Sequence, residues 1–357
     1  MNGAGVNPGA LNLLINCARV TPGDTVLVAV ESADYGYYNE DLAPCVVAAA
    51  RHLGCNVDIV QSGFDPEARE IPQIILDRAK NADVMVSLSR FGDQLRFDAL
   101  PGGMRSVQCY ALDAATLAGP FGTVTHEALV ALRKATDRAL SMATEIRITC
   151  ANGTDVSGRA PPNTPPADTT CARFPLSVFS PILAQGFSGK VALPRFLTGT
   201  GARYYDPFTV ALPAGVFAHF THGRLTKFSG PDEGVRRADA HYDFVAGRYD
   251  LDRDSVHSWH AGIHPGCNFT GSIERSFEAW SGSAFGNPRI LHFHTCGSVP
   301  PGEISWNVID ATIEAEGIPL WKGGVFQPTL LPGGARILDN FPDLLRVFAS
   351  PERAIGL

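Results

Sequence analysis

The segment 25–30, TVLVAV, has almost no polar face, and 82–89, ADVMVSLS, repeats the pattern. A strand that is apolar on both sides must be covered on both sides, which is the condition of a parallel sheet between two layers of helix. The surrounding sequence supplies the helices. Residues 7–20 (NPGALNLLINCARV), 41–54 (DLAPCVVAAARHLG), 71–82 and 125–144 carry apolar side chains at helical spacing. Gly54 offers a C-terminal stop, NVDIV follows at 56–60 as a strand, and SVQCYAL reads as another. Residues 1–150 are therefore expected to form an open, largely parallel α/β sheet domain.

The character changes at 145–175, where a strand (EIRITC) runs into a loop rich in Pro and Thr. Beyond it come strand and turn patterns: GKVALPRF, FTVALPAGVFAHF and HGRLTKFSG, the last with a turn at His222-Gly223. Helical spacing returns at 233–248. We expect a strand-rich α+β domain over 151–357. The overall class is α/β.

Bulk properties remove several functions. The 357 residues carry a formal net charge of −7, the wrong sign for a nucleic-acid or anionic-membrane partner. No apolar run reaches the ~18 residues of a membrane span, and the N-terminus lacks the basic and apolar regions of a secretory leader. Eight scattered cysteines without a C-x-x-C pair read as buried thiols of a reducing compartment, so a cytoplasmic protein is expected. No G-x-G-x-x-G or phosphate-binding loop follows a strand. The parallel sheet is accordingly expected to be a scaffold or an oligomerisation surface.

The chemistry concentrates in 257–294, which holds five of the 10 histidines: His257, His260 and His264 in VHSWHAGIHPG, then His292 and His294 in RILHFHTCG. On a strand, His292 and His294 share one face and Phe293 takes the other. Two close imidazoles repel when protonated, whereas a metal ion takes both as neutral ligands. A third ligand from the upstream cluster would complete a facial site with open positions. Spacing does not choose among His257, His260 and His264. Cys296, beside the pair, is a candidate fourth ligand for a closed structural site. Among carboxylates, Glu274, Glu278 and Glu303 are candidate bases, with Glu303 the best placed because PPGEISWN follows the histidine strand.

These residues resemble a family. Phe174-Pro175-Leu176-Ser177-Val178-Phe179 is similar to the P-x-E-V-F segment of the aminopeptidase T type of leucyl aminopeptidases, with Ser177 where that segment has a metal-binding glutamate. His222-Gly223-Arg224-Leu225 resembles the family's G-R turn strand. His260-Ala261-Gly262-Ile263 before His264-Pro265-Gly266 resembles its ligand-x-G-x segment. His292-Phe293-His294 resembles its H-x-D, with the aspartate replaced. The resemblance covers nearly the whole chain and extends to mononuclear offshoots, 5-nitroanthranilate aminohydrolase and 2,5-dihydroxypyridine dioxygenase.

It implies a homo-oligomer with one divalent transition metal (Mn, Fe or Zn) on His260, His292 and His294. It also implies a small aromatic substrate, handled by a metal-dependent hydrolase or else by a ring-cleaving iron dioxygenase. Loss of the glutamate at Ser177 argues against a two-metal peptidase. Glu303 or His257 would move protons, Arg203 or Arg289 would hold an acidic substituent, and Phe293 and Trp259 would pack on the ring. A non-catalytic protein with a structural metal is the reading from a different class.

Overall fold

The computed structural model describes residues 5–162, 169–297 and 301–357. Its parallel sheet forms where the sequence is apolar on both faces. Strands β1 (Thr25–Val30), β2 (Asn56–Gln61), β3 (Val84–Leu88), β4 (Arg105–Cys109) and β5 (Ala172–Phe174) lie in the order β2-β1-β3-β4-β5, all parallel. Its edge strand β5 comes from beyond residue 150. Val26 and Val28 of β1, with Val84 and Val86 of β3, pack on Leu13, Leu14 and Val46 of the helical layer on one side. Leu27 and Ala29 pack with Ile75 and Phe91 on the other. Those layers include helices α1 (Leu42–His52), α2 (Gln73–Ala79) and α3 (Phe91–Gln94).

The rest of the chain is rich in antiparallel strands, as the sequence predicts. Six of them, β6 (Ile182–Leu183), β7 (Phe196–Gly199), β8 (Thr209–Ala211), β9 (Val256–Ala261), β10 (Ile290–Thr295) and β11 (Ile304–Ile309), form a sheet in the order β8-β7-β11-β10-β9-β6. A second sheet of eight strands runs from Arg224–Ser229 at one edge to Val325–Phe326 at the other. Its first hairpin turns at His222 and Gly223, whose φ values of 47° and 73° are those of a tight two-residue turn. The two sheets face each other across the largest core. Trp259, Phe293 and Trp306 of the six-stranded sheet meet Phe220, Ile148 and Val191 of the eight-stranded one. Helices α4 (His126–Met142), α5 (Asp232–Tyr249) and α6 (Phe277–Ala284) complete the elements used below. No helix among the described residues is long and apolar enough to cross a membrane.

Candidate metal centre

Three neighbouring strands carry the same pattern of polar, aromatic, polar: Ser258-Trp259-His260 on β9, His292-Phe293-His294 on β10 and Ser305-Trp306-Asn307 on β11. Strand alternation sends the three aromatic rings into the core and the polar groups to the opposite face. The antiparallel register sets His260 opposite His292 and Ser258 opposite His294, and β11 continues the row with Asn307 opposite His292 and Ser305 opposite His294. A register shift between Val256 and Ser258 leaves His257 as the extra residue of a bulge. That bulge turns its ring toward the same cavity as His260.

The three buried histidines converge through their Nε2 atoms. His260 Nε2 lies 2.7 Å from His292 Nε2 and 3.1 Å from His294 Nε2. The other ring nitrogens fix the tautomers. His260 Nδ1 faces the carbonyl oxygen of Phe179 at 3.0 Å, and His294 Nδ1 faces the Glu303 carboxylate at 2.6 Å. Both must donate there, so in each neutral ring the lone pair is on Nε2. When both rings are neutral, as metal ligands must be, two lone pairs point at each other in a buried site, an arrangement that repels unless a cation lies between them. Burial pushes the His260 pKa well below the ordinary histidine value, and the charge of His294 adds to it; His292 is pushed down by burial and by both neighbours. Neutral imidazoles are the form that binds metal. The donor set thus fits a divalent transition metal, and these three residues form the one cluster of such donors among the described residues.

Glu303 braces the trio. It accepts from His294 on one oxygen, while the other lies 3.4 Å from Arg96. Burial alone would raise its pKa, but His294 and Arg96 hold it below the usual carboxylate value. The carboxylate–histidine pair orients the ring and raises its basicity as a ligand. Arg96 is itself buried. Burial opposes its charge, and Asp93 and Glu303 more than offset that.

Arg96 and Asp93 come from the α/β half of the chain, as do Phe97 and Tyr110. All four line a cavity of about 340 Å³ that the histidines close from the other side. They follow the carboxyl ends of β3 and β4, the edge at which parallel sheets place their ligands. The parallel sheet is therefore more than the scaffold expected from its lack of a nucleotide motif. It supplies one wall of the cavity.

No protein-family model matches the sequence, and no curated protein matches it. Among solved structures, 2,5-dihydroxypyridine dioxygenase from Pseudomonas putida KT2440 superposes with a TM-score of 0.63 at 14% identity, over 94% of this chain and 100% of that chain. Wild-type AmpT from Thermus thermophilus gives 0.51 at 10% identity, over 90% of this chain and 98% of that chain. The chain has the fold of these two structures. At such identities the likeness speaks for architecture, and it is the architecture that the sequence resemblance implied.

The other residues singled out in the sequence divide. His257 lines the cavity, with Nδ1 3.0 Å from Ser258 Oγ, and burial followed by the charge of His294 lowers its pKa. His264 is buried elsewhere, stacked near Phe121, with Nδ1 accepting from Gly266 N–H. Trp259 and Phe293 are fully buried on the aromatic face and do not reach the cavity, because they alternate with the histidines. Arg289 is bound to Asp310 at 2.6 Å and to the carbonyl of Arg353, away from the cavity. Arg203 does not line it either; its backbone N–H donates to Glu278, which also pairs with Arg90. Glu278 is thus structural, and Glu274 is exposed. Cys296 sits in the apolar core near Tyr242 O and offers the trio no fourth ligand. Arg96, Arg173, Phe97 and Phe285 line the cavity instead. Sequence spacing gave them no signal, since each reaches the site through tertiary packing.

Proposed function

We propose that the chain is a mononuclear metal-dependent hydrolase that replaces an amino substituent of a small aromatic ring by hydroxyl, consuming water and releasing ammonia. The observation that carries this reading is the convergence of His260, His292 and His294 through their Nε2 atoms, with the Nδ1 atoms of His260 and His294 turned to a carbonyl and a carboxylate. A divalent metal on three neutral imidazoles supplies strong Lewis acidity and lowers the pKa of water that it binds. Glu303 keeps His294 in its ligand tautomer. His257, held neutral and not part of the trio, accepts the proton lost when water adds to the ring carbon. It returns that proton to the departing nitrogen. Phe97 and Phe285 flank the ring, and a cavity of this size suits one substituted ring, within the ~300–1,000 Å³ usual for small-molecule sites.

A ring-cleaving iron dioxygenase is the second reading. It is favoured by the superposition on a dioxygenase along that enzyme's whole length. The peptidase reading is weakened by Ser177, which lines the cavity without a carboxylate. One experiment separates them. Metal-free protein is loaded anaerobically with zinc, manganese or iron and offered substituted anthranilates and hydroxypyridines. Ammonia release without oxygen supports the hydrolase. Oxygen uptake with iron and no ammonia from any metal form selects the dioxygenase, and turnover of neither class defeats both.

A further inference from the structure

We infer that Arg173 selects the substrate by binding a carboxylate substituent on the ring. This rests on the reading that the cavity takes a small aromatic molecule, and it does not depend on which reaction follows. Arg173 lies on the edge strand β5, where its backbone is paired with Gln108, so its position is fixed by a sheet. Its side chain lines the cavity of the histidine trio.

The two buried arginines nearby are fully committed: Arg90 to Glu31 and Glu278, and Arg96 to Asp93 and Glu303. Arg173 has no carboxylate partner among the described residues. The acids of the cavity are also taken. Asp93 accepts from Tyr110 Oη–H at 2.7 Å and from Ala202 N–H at 2.8 Å, and Glu303 is shared by His294 and Arg96.

Charge gives the same answer. Among the described residues, the two carboxylates lining the cavity, Asp93 and Glu303, are matched by the two guanidiniums, Arg96 and Arg173. A divalent cation on neutral histidines therefore leaves the site with a net positive charge. An anionic ring restores the balance, and a guanidinium fork fits a planar carboxylate through two parallel hydrogen bonds. Arg173 thus takes the part that sequence reasoning gave to Arg203 or Arg289.

The test is calorimetric titration of the full chain, zinc-loaded and metal-free, with anthranilate and with its neutral isostere anthranilamide. Wild type is expected to bind anthranilate about ten- to a hundred-fold more tightly, the range of a charge-assisted pair. The preference persists without zinc. Arg173→Gln abolishes it while zinc content stays normal, and Arg173→Lys recovers part. Equal affinity for the two ligands in wild type, or no measurable binding of either, overturns the proposal. So does a preference that vanishes with the metal or survives Arg173→Gln, since the carboxylate is then held by the metal or by another residue. Preference with no ammonia release from any metal form on any of the substituted anthranilates defeats the hydrolytic reading and leaves Arg173 in its role.

Discussion

The imidazole of His294 is held at both ends, by Glu303 at Nδ1 and by the converging trio at Nε2. Removing either hold has a distinct outcome. His294→Ala deletes a ligand and is expected to lose tight metal binding with the fold intact. Glu303→Gln keeps the ligand but weakens its orientation, and should cost about 10–100-fold in metal affinity. Competitive zinc titration with a chromophoric chelator reads both; normal affinity in Glu303→Gln would make the carboxylate a bystander. Loaded wild type should hold one metal per chain by elemental analysis, since Ser177 offers no carboxylate for a second. The H-x-H pair was legible because strand period is a property of sequence alone. The third histidine was not legible from spacing, which left His257, His260 and His264 open; the family resemblance alone pointed to His260. The repeated triplets Ser258-Trp259-His260, His292-Phe293-His294 and Ser305-Trp306-Asn307 are the signal that picks His260. Each puts one bulky aromatic between polar residues, which marks three strands with the same buried and functional faces.

At the scale of elements, the first sheet and the metal-bearing half are tied by a buried ion network. Glu31 follows β1, Arg90 follows β3, and Glu278 stands on α6; Arg90 donates to both acids, at 2.5 Å to Glu31 and 3.0 Å to Glu278. Its guanidinium also lies over Phe64, 3.4 Å from the ring centroid. Leaving Glu31 without its partner strands a charge that has no access to water. Arg90→Ala is therefore expected to destabilise the chain by about 3–5 kcal/mol, and the double variant Arg90→Met with Glu31→Gln by clearly less. Urea unfolding of the three proteins checks this, and equal losses in the single and double variants would contradict it. The strands and the His222-Gly223 hairpin could be read from apolar runs and turn residues. This network could not, since its members lie 59 and 188 positions apart in sequence. The bulge at His257 was equally hidden, and it reorients one side chain that regular alternation would have pointed away.

The whole molecule shows why half of the site was invisible in the sequence. A parallel sheet without a nucleotide motif still offers the carboxyl ends of its strands. Here the antiparallel histidine sheet is docked against them, so Asp93, Arg96 and Tyr110 come to line the cavity only through the assembly of the two halves. The same packing buries histidines outside the trio, and these are expected to weaken the fold in acid. Burial pushes His241, on α5, down to about 4, and His264 likewise. Their unfolded value is near 6.5. As pH falls below 6.5 the unfolded chain takes up protons that the folded chain refuses, so stability is full above that value and drains away down to about pH 4. A depression of this size amounts to roughly 3 kcal/mol for each residue at the acid limit. His241 packs against Tyr205 and Phe244, and its Nε2 has no partner among the described residues. Phenylalanine fits those neighbours and cannot be protonated. In metal-free protein, His241→Phe should therefore gain stability over wild type by an amount that grows from pH 7 to pH 4.5. Urea midpoints at intervals across that range measure the growth. Parallel pH dependences in the two proteins would show that His241 is not among the groups that make the fold acid-labile.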